Sequence, residues 1–139
     1  MNQRIGHIAL LVEDYDAAIA FYTKKLNFDL MEDTPLSEGK RWVLVAPKGT
    51  GNCSLLLAKA ANEIQHHAIG NQTGGRVFLF LYTDDFKRDY AALVSNGITI
   101  VREPVCETWG TVAVFSDLYG NLWDLIEAGH HLSRTDKAG

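Results

Sequence analysis

The hydrophobic positions of the chain follow two spacings, one of which predicts strands and the other helices. Short runs of β-branched and aromatic residues favour strands, and His7–Val12 is the first of them. Apolar residues three or four positions apart then predict a helix, which Asp14 or Asp16 begins as N-cap and Asn27 ends as a left-handed residue. Three further strands are predicted at 28–33, 41–46 and 53–58.

The second half of the chain repeats this order of elements. A strand at 77–83 precedes a helix that Asp84 or Asp85 begins and Gly97 ends. The remaining strands are predicted at 98–102, 111–115 and 122–127. Corresponding residues of the two halves, such as Asp14 and Asp85, lie about 70 positions apart, which indicates two copies of one βαβββ unit.

The repeat divides the chain into two modules within one domain, residues 1–128. Module one spans about 4–59 and module two about 76–128. The polar linker between them, 60–75, has the composition of a loop and can hold a short helix. Residues 129–139 are predicted to form a flexible tail.

Composition and net charge indicate which kinds of partner the chain is suited to bind. The 139 residues are 47% hydrophobic and 22% charged, which is typical of a globular domain. A formal net charge of −4 argues against nucleic acid and anionic membrane surfaces, since both attract a concentrated positive field. No apolar run approaches the roughly 18 residues of a membrane span, so we expect a cytoplasmic protein. The two cysteines have neither the number nor the spacing of a disulfide framework or zinc motif.

Two segments resemble a known superfamily. They are residues 6–28, GHIALLVEDYDAAIAFYTKKLNF, and residues 117–127, DLYGNLWDLIE. A histidine on the first strand, a Phe-Tyr helix ending in Leu-Asn-Phe, and a Gly-Asn turn before an acidic strand together resemble the vicinal oxygen chelate superfamily. That superfamily includes glyoxalase I, bleomycin-resistance proteins and extradiol dioxygenases. The resemblance implies an α+β fold in which two tandem βαβββ modules form curved antiparallel sheets around a cup-shaped pocket.

The resemblance also implies four positions for a divalent metal, on the first and last strand of each module. His7 and Asp124 match two of these positions and have ligand atoms. Leu55 matches the third and Phe78, or Val77 in a shifted register, the fourth; none of these side chains can bind a metal. Because tight metal sites normally have three or four protein ligands, no cofactor is assigned, and a divalent metal at His7 and Asp124 stays as an alternative.

Strand alternation predicts which residues line the cup. The predicted lining consists of His7, Ala9, Leu11, Leu55, Leu57, Phe78, Phe80, Tyr82, Asp124 and Ile126. This mainly apolar and aromatic lining suits a small organic molecule, although alternating aromatic residues are also typical of ordinary core. Trp42 and Trp109 are candidates for the rim, whereas Trp123 is expected beneath a helix. Arg41, Arg102 and Glu107 are either polar anchors or solvated surface residues.

The leading hypothesis is therefore a protein that binds a small organic molecule, for sequestration or resistance, without a tightly bound catalytic metal. The alternative is a metal-dependent lyase, isomerase or dioxygenase that uses His7, Asp124 and a third ligand, Glu127 or His66. A third hypothesis is an interaction module that dimerises through sheet edges. The resemblance itself implies a homodimer.

Overall fold

The structure, a computed structural model, describes residues 1–49 and 51–129. The chain divides into two units, Met1–Gln72 and a second that begins at Thr73. The predicted tail lies, from residue 130 onward, outside the described residues. No helix in the described ranges has the length and hydrophobicity needed to cross a membrane.

The first unit is a four-stranded sheet with helical segments between its strands. Its strands are β1 (His7–Val12), β2 (Asp29–Ser37), β3 (Lys40–Ala46) and β4 (Ser54–Lys59). Helix α1 (Tyr15–Ala20) continues as a π-helical turn, Phe21–Lys25, and α2 (Glu63–Ala68) occupies part of the predicted linker. The strand order is β1-β4-β3-β2, so β1 and β2 are the sheet edges.

The second unit repeats this arrangement. It contains β5 (Val77–Tyr82), α3 (Phe86–Ser95), β6 (Ile100–Glu107), β7 (Gly110–Ser116) and β8 (Leu122–Ala128). The strand order is β5-β8-β7-β6, the same as in the first unit. The predicted α+β class and the duplicated βαβββ unit are confirmed.

Each sheet is mixed, which corrects the expectation of wholly antiparallel sheets. β1 runs parallel to β4 and β5 runs parallel to β8, whereas the other pairs are antiparallel. The reason is the helical crossover after the first strand of each unit. A crossover of this kind joins strands that point the same way, and the antiparallel hairpins that follow bring the last strand back parallel to the first.

The helix boundaries follow from caps that the sequence indicated. Asp14 accepts a 2.8 Å hydrogen bond from a backbone N–H in the first turn of α1, and Asp85 accepts one of 3.1 Å in α3. Asp14 and Asp85, rather than Asp16 and Asp84, are therefore the N-caps. Asn27 has a φ of +60°, so it is the left-handed residue expected after the first helix.

Two strands extend through prolines and past the ends predicted for them, residues 33 and 102. β2 continues through Pro35 and β6 through Pro104. Both strands lie at the edge of their sheet. Because an edge strand leaves every second backbone N–H without a ladder partner, proline fits there without the loss of a hydrogen bond.

One face of each sheet packs against its helix and forms the core. In the first unit, Leu10, Val43 and Leu57 on this face are fully buried. In the second, Trp123 stacks on Phe115 with ring centroids 5.8 Å apart and planes 17° apart. Trp123, which was expected beneath a helix, is 3% exposed.

Candidate functional site

The face of the first sheet opposite α1 carries one histidine among apolar residues. Strand register places Ala9 beside Leu56, and Leu56 beside Leu44, on this surface. We call it the histidine face; its central residues are His7, Ala9, Leu11, Trp42, Leu44 and Leu56. The shared face predicted for His7, Ala9 and Leu11 agrees with the alternating burial of β1.

His7 is exposed, and its ring meets the indole of Trp42 edge-on. The ring centroids are 5.8 Å apart and the planes 81° apart. The imidazole makes no hydrogen bond to any residue in the described ranges. Beside it, the side-chain amide of Gln72 bonds to the outer edge of β1, where its oxygen accepts a 3.0 Å bond from Leu11 N–H and its nitrogen donates to the carbonyl of Ala9. Gln72 thus fixes the free edge of the strand that carries His7.

By sequence, Leu55 matches the last-strand metal position of the first unit. In the structure, Leu56 lies at that position. Leu55 and Leu57 are 4% and 0% exposed and lie on the face that packs against α1, so neither belongs to the histidine face. Leu56 pairs with Ala9 as Asp124 pairs with Phe80, which makes Leu56 the structural counterpart of Asp124. The loop before the last strand differs in length between the two units. Aligning the units by a fixed number of residues therefore misplaces this position by one residue. Leucine offers no metal-ligand atom at either position.

On the corresponding face of the second sheet, Asp124 lies among mostly apolar and aromatic side chains. Asp124 pairs with Phe80 on one side and with Val114 on the other, and Arg102 pairs with Val114 one strand further away. We call this surface the aspartate face; it consists of Phe80, Tyr82, Arg102, Val105, Glu107, Val112, Val114, Asp124 and Ile126. Its two aromatic residues are prominent, with Phe80 57% and Tyr82 63% exposed.

Phe78 does not continue the alternation of Phe80 and Tyr82. Val77 pairs with Leu122 and Leu79 pairs with the next residue of β8, so the register shifts between them. Phe78 is the extra residue of this bulge, and it is half-buried. A bulge breaks the period of two on which the prediction for Phe78 relied.

Asp124 is half-buried, and its carboxylate has no hydrogen-bond donor among the described residues. Burial raises the pKa of its carboxyl above the ordinary value, and the charge of Arg102 opposes that rise. Among the residues that the structure describes, no group donates a hydrogen bond to Asp124 or forms an ion pair with it. Carboxylates removed from water normally have such a donor, so an unmatched one on an aromatic surface is a candidate ligand contact.

Arg41 has a structural role. It lies on the α1 side of the first sheet, where its guanidinium binds Asp33 at 2.7 Å and Asp16 at 3.0 Å. It also lies over the ring of Tyr15, 5.1 Å from the centroid. Arg41 therefore links β2, β3 and α1 and is not an anchor on the histidine face.

Of the other candidates, Arg102 and Glu107 lie on the aspartate face. Trp109 is 41% exposed just before β7, and its carbonyl accepts a 2.7 Å bond from Gly129 N–H. Among these candidates, Arg102 best fits the role of a polar anchor, because its charge acts on Asp124.

The two proposed third metal ligands have other contacts. Glu127 accepts a 2.6 Å hydrogen bond from Phe86 N–H at the start of α3, and strand alternation puts it on the face opposite Asp124. His66 Nδ1 lies 3.7 Å from a carboxylate oxygen of Glu13. Glu127 therefore cannot join Asp124 at one metal ion.

The donor chemistry does not match a tightly held divalent metal. The described residues contain no group of three or more His, Cys, Asp or Glu side chains placed to hold one. The histidine face, taken by itself, offers one imidazole, and Asp124 is flanked by a phenylalanine and a valine. A site with fewer than three protein ligands would bind metal weakly.

Asp117 organises the turn that leads into β8. Its carboxylate accepts hydrogen bonds from the backbone N–H groups of Tyr119, Gly120 and Asn121, and from the Asn121 side chain, at 2.9–3.0 Å. Asp117 is 5% exposed. The Asp-Leu-Tyr-Gly-Asn segment that identified the family is thus a folded turn, and it fixes the start of the strand that carries Asp124.

Comparison with known proteins agrees with this architecture. An uncharacterized protein of Shewanella frigidimarina is 61% identical over 128 residues, which are 91% of this chain and 95% of the relative. The crystal structure of TnmS3, an antibiotic binding protein from Streptomyces sp. CB03234, is 31% identical with a TM-score of 0.74 and covers 92% of this chain and 98% of TnmS3. The 3-methylcatechol 2,3-dioxygenase of Pseudomonas putida is 30% identical over 135 residues, 95% of this chain but 46% of that enzyme.

The family assignment rests on most of the chain. The sequence model of the glyoxalase/bleomycin resistance protein/dioxygenase superfamily matches residues 4–125, which include both βαβββ units up to β8. The chain belongs to the glyoxalase/bleomycin resistance protein/dioxygenase superfamily.

Proposed function

We propose that this protein binds a small organic molecule, for sequestration or resistance, and that the aspartate face is a main contact surface. The observation that carries the proposal is the pair of exposed aromatic rings, Phe80 and Tyr82, beside the half-buried Asp124 carboxylate, to which none of residues 1–49 and 51–129 donates a hydrogen bond. Apolar and aromatic surfaces with few polar groups suit organic ligands, because the rings supply contact area and the polar group fixes the orientation of the ligand.

Two further observations support the proposal. TnmS3, which is 31% identical over nearly its whole length, is an antibiotic binding protein. The edge-to-face pair of His7 and Trp42 gives the histidine face the same combination of an aromatic ring and one polar group.

The test is equilibrium dialysis of the full-length protein against acridine, a planar neutral probe at pH 7, and against bleomycin. We expect saturable binding of at least one of them. Replacing Phe80 by Ala should weaken that binding roughly tenfold, because stacking and buried area on one ring are lost. Leu118→Ala is the matched control, since Leu118 is 45% exposed in a turn outside the aspartate face. Absence of saturable binding, or equal affinity of the Phe80 variant, would refute the proposal.

A metal-dependent lyase, isomerase or dioxygenase is the competing function, and the similarity to 3-methylcatechol 2,3-dioxygenase is its support. Elemental analysis of protein purified without chelators separates the two. We expect less than stoichiometric divalent metal. Stoichiometric metal that disappears in the His7→Ala variant would establish the competing function instead.

The proposal includes a cytoplasmic homodimer. Its basis is the family resemblance for the dimer and the sequence composition for the location. Light scattering on the purified chain tests the first, and fractionation of the source cells tests the second.

A further inference from the structure

Asp124 differs from Asp117 in the way its charge is matched. Asp117, the other acidic group of this segment with little exposure, receives four hydrogen bonds. Asp124 is half-buried and receives none from the described residues. No residue in the described part of the chain thus places a compensating charge in direct contact with the Asp124 carboxylate, and a ligand can supply that charge.

The neighbours of Asp124 define where that ligand charge would lie. Neighbouring strands are about 5 Å apart, so Phe80 lies one strand spacing from Asp124 and Arg102 lies two spacings away on the opposite side. Val114, between Asp124 and Arg102, has no polar side-chain atom. Arg102 therefore lies on the side of the carboxylate away from Phe80, and a ring stacked on Phe80 would bring a substituent to the side that Arg102 does not occupy.

We propose that the ligand class is a planar aromatic compound bearing a protonated amine, with its ring on Phe80 and its ammonium or iminium group on the Asp124 carboxylate. This inference rests on the proposed function and specifies its ligand. A cationic donor matches the site better than a hydroxyl, because it supplies both a hydrogen bond and the missing charge. A chain with a net charge of −4 also disfavours anionic ligands.

The experiment compares two probes of nearly the same shape in the full-length protein at pH 7. 9-Aminoacridine is a planar cation under these conditions, and acridine is its neutral counterpart. We expect 9-aminoacridine to bind at least about tenfold more tightly, as a charged hydrogen bond warrants. In the Asp124→Asn variant, which keeps the shape of the side chain, this preference should disappear while the affinity for acridine is unchanged.

The matched control is Glu38→Gln, which removes an exposed carboxylate from the turn between β2 and β3, outside the aspartate face. It should keep the preference for 9-aminoacridine. Equal affinity for the two probes, or a preference that persists in Asp124→Asn, overturns the amine inference and leaves organic-molecule binding standing. Failure of both probes and of bleomycin to bind overturns the inference and the proposed function together.

Discussion

At the scale of single residues, two aspartates seven positions apart have opposite roles. Asp117 is buried and fully engaged by the turn that it organises, so its carboxylate stabilises the fold. Asp124, on the next strand, is half-buried with no donor in the described part of the chain, so its charge costs stability. A residue kept at such a cost in a folded domain is a candidate for binding rather than for folding.

Replacing Asp124 by Asn should therefore stabilise the protein slightly at pH 7, because solvent screening reduces the cost of a carboxylate that is only partly buried. Burial raises the pKa of this carboxyl in the folded state, so the native protein holds its proton to a higher pH than the unfolded chain does. The charged form then costs stability above that raised pKa, and the cost vanishes below the ordinary value of 3.8.

Urea unfolding at pH 7 and at pH 3 measures this effect. The gain from Asp124→Asn should be present at pH 7 and smaller at pH 3. Glu107→Gln, which removes an exposed carboxylate of the same sheet, should give no comparable gain. A loss of stability in Asp124→Asn at pH 7 would contradict the account of this residue.

At the scale of elements, Gly110 is required by the pairing of β7 with β8. Its φ is +152°, and a Cβ there would lie 2.2 Å from the carbonyl oxygen of Glu127, a backbone atom that cannot move aside. Gly39, in the turn between β2 and β3, has a φ of +74°, but a Cβ at this position would have no atom within 4 Å. A side chain at Gly110 would cause both steric overlap and backbone strain, whereas one at Gly39 would cause backbone strain alone.

Gly110→Ala should lower the free energy of unfolding by more than about 3 kcal/mol, whereas Gly39→Ala should cost only about 1 kcal/mol. Chemical denaturation of the two variants side by side provides the measurement. Similar costs for both would mean that β8 moves away from β7 without penalty, contrary to the close pairing of these two strands.

The link between Arg41 and Asp33 joins two strands and gives stability a dependence on pH. The hydrogen bond from Arg41 lowers the pKa of Asp33. A lowered pKa in the folded state adds stability that is complete above the unfolded value of 3.8 and is lost as the pH falls through the folded value. Because the pair is only partly shielded from water, its contribution is about 1 kcal/mol.

Arg41→Gln should accordingly destabilise the protein at pH 7, and the difference from the parent chain should shrink below about pH 4. Lys48→Gln serves as control, since Lys48 pairs with Asp29 where both side chains are half exposed. Thermal unfolding across this pH range tests the expectation. A difference for Arg41→Gln that is the same at every pH would rule out the ion pair as its source.

Local chemistry explains which elements were predictable from the sequence. Asp14, Asp85 and Asn27 act within one helical turn, so their roles follow from neighbouring residues. Leu55 and Phe78 were misplaced because a face depends on loop length and on a bulge, which strand alternation does not encode. Whether Asp124 has a hydrogen-bond donor depends on side chains from β8 and from the strands on either side of it, β5 and β7. The sequence alone therefore could not predict it.

At the scale of the whole molecule, the exposed edge of the first sheet bears on the proposed homodimer. All nine residues of β2 are exposed, and the strand forms one edge of its sheet. Leu30, Met31 and Leu36 on it are 44%, 58% and 54% exposed. An edge strand with exposed apolar side chains among its residues is a surface on which a second copy of the chain can pair.

If the homodimer uses this edge, Met31→Lys should shift the protein toward monomer, because a charge at the edge strand disfavours pairing with another strand. Ile64→Lys is the matched control, since Ile64 is 83% exposed on α2 and outside both sheets. Light scattering coupled to size exclusion should give a monomer mass for the first variant and a dimer mass for the second. A dimer that survives Met31→Lys would move the interface away from β2, and a monomeric parent chain would remove the homodimer from the proposal.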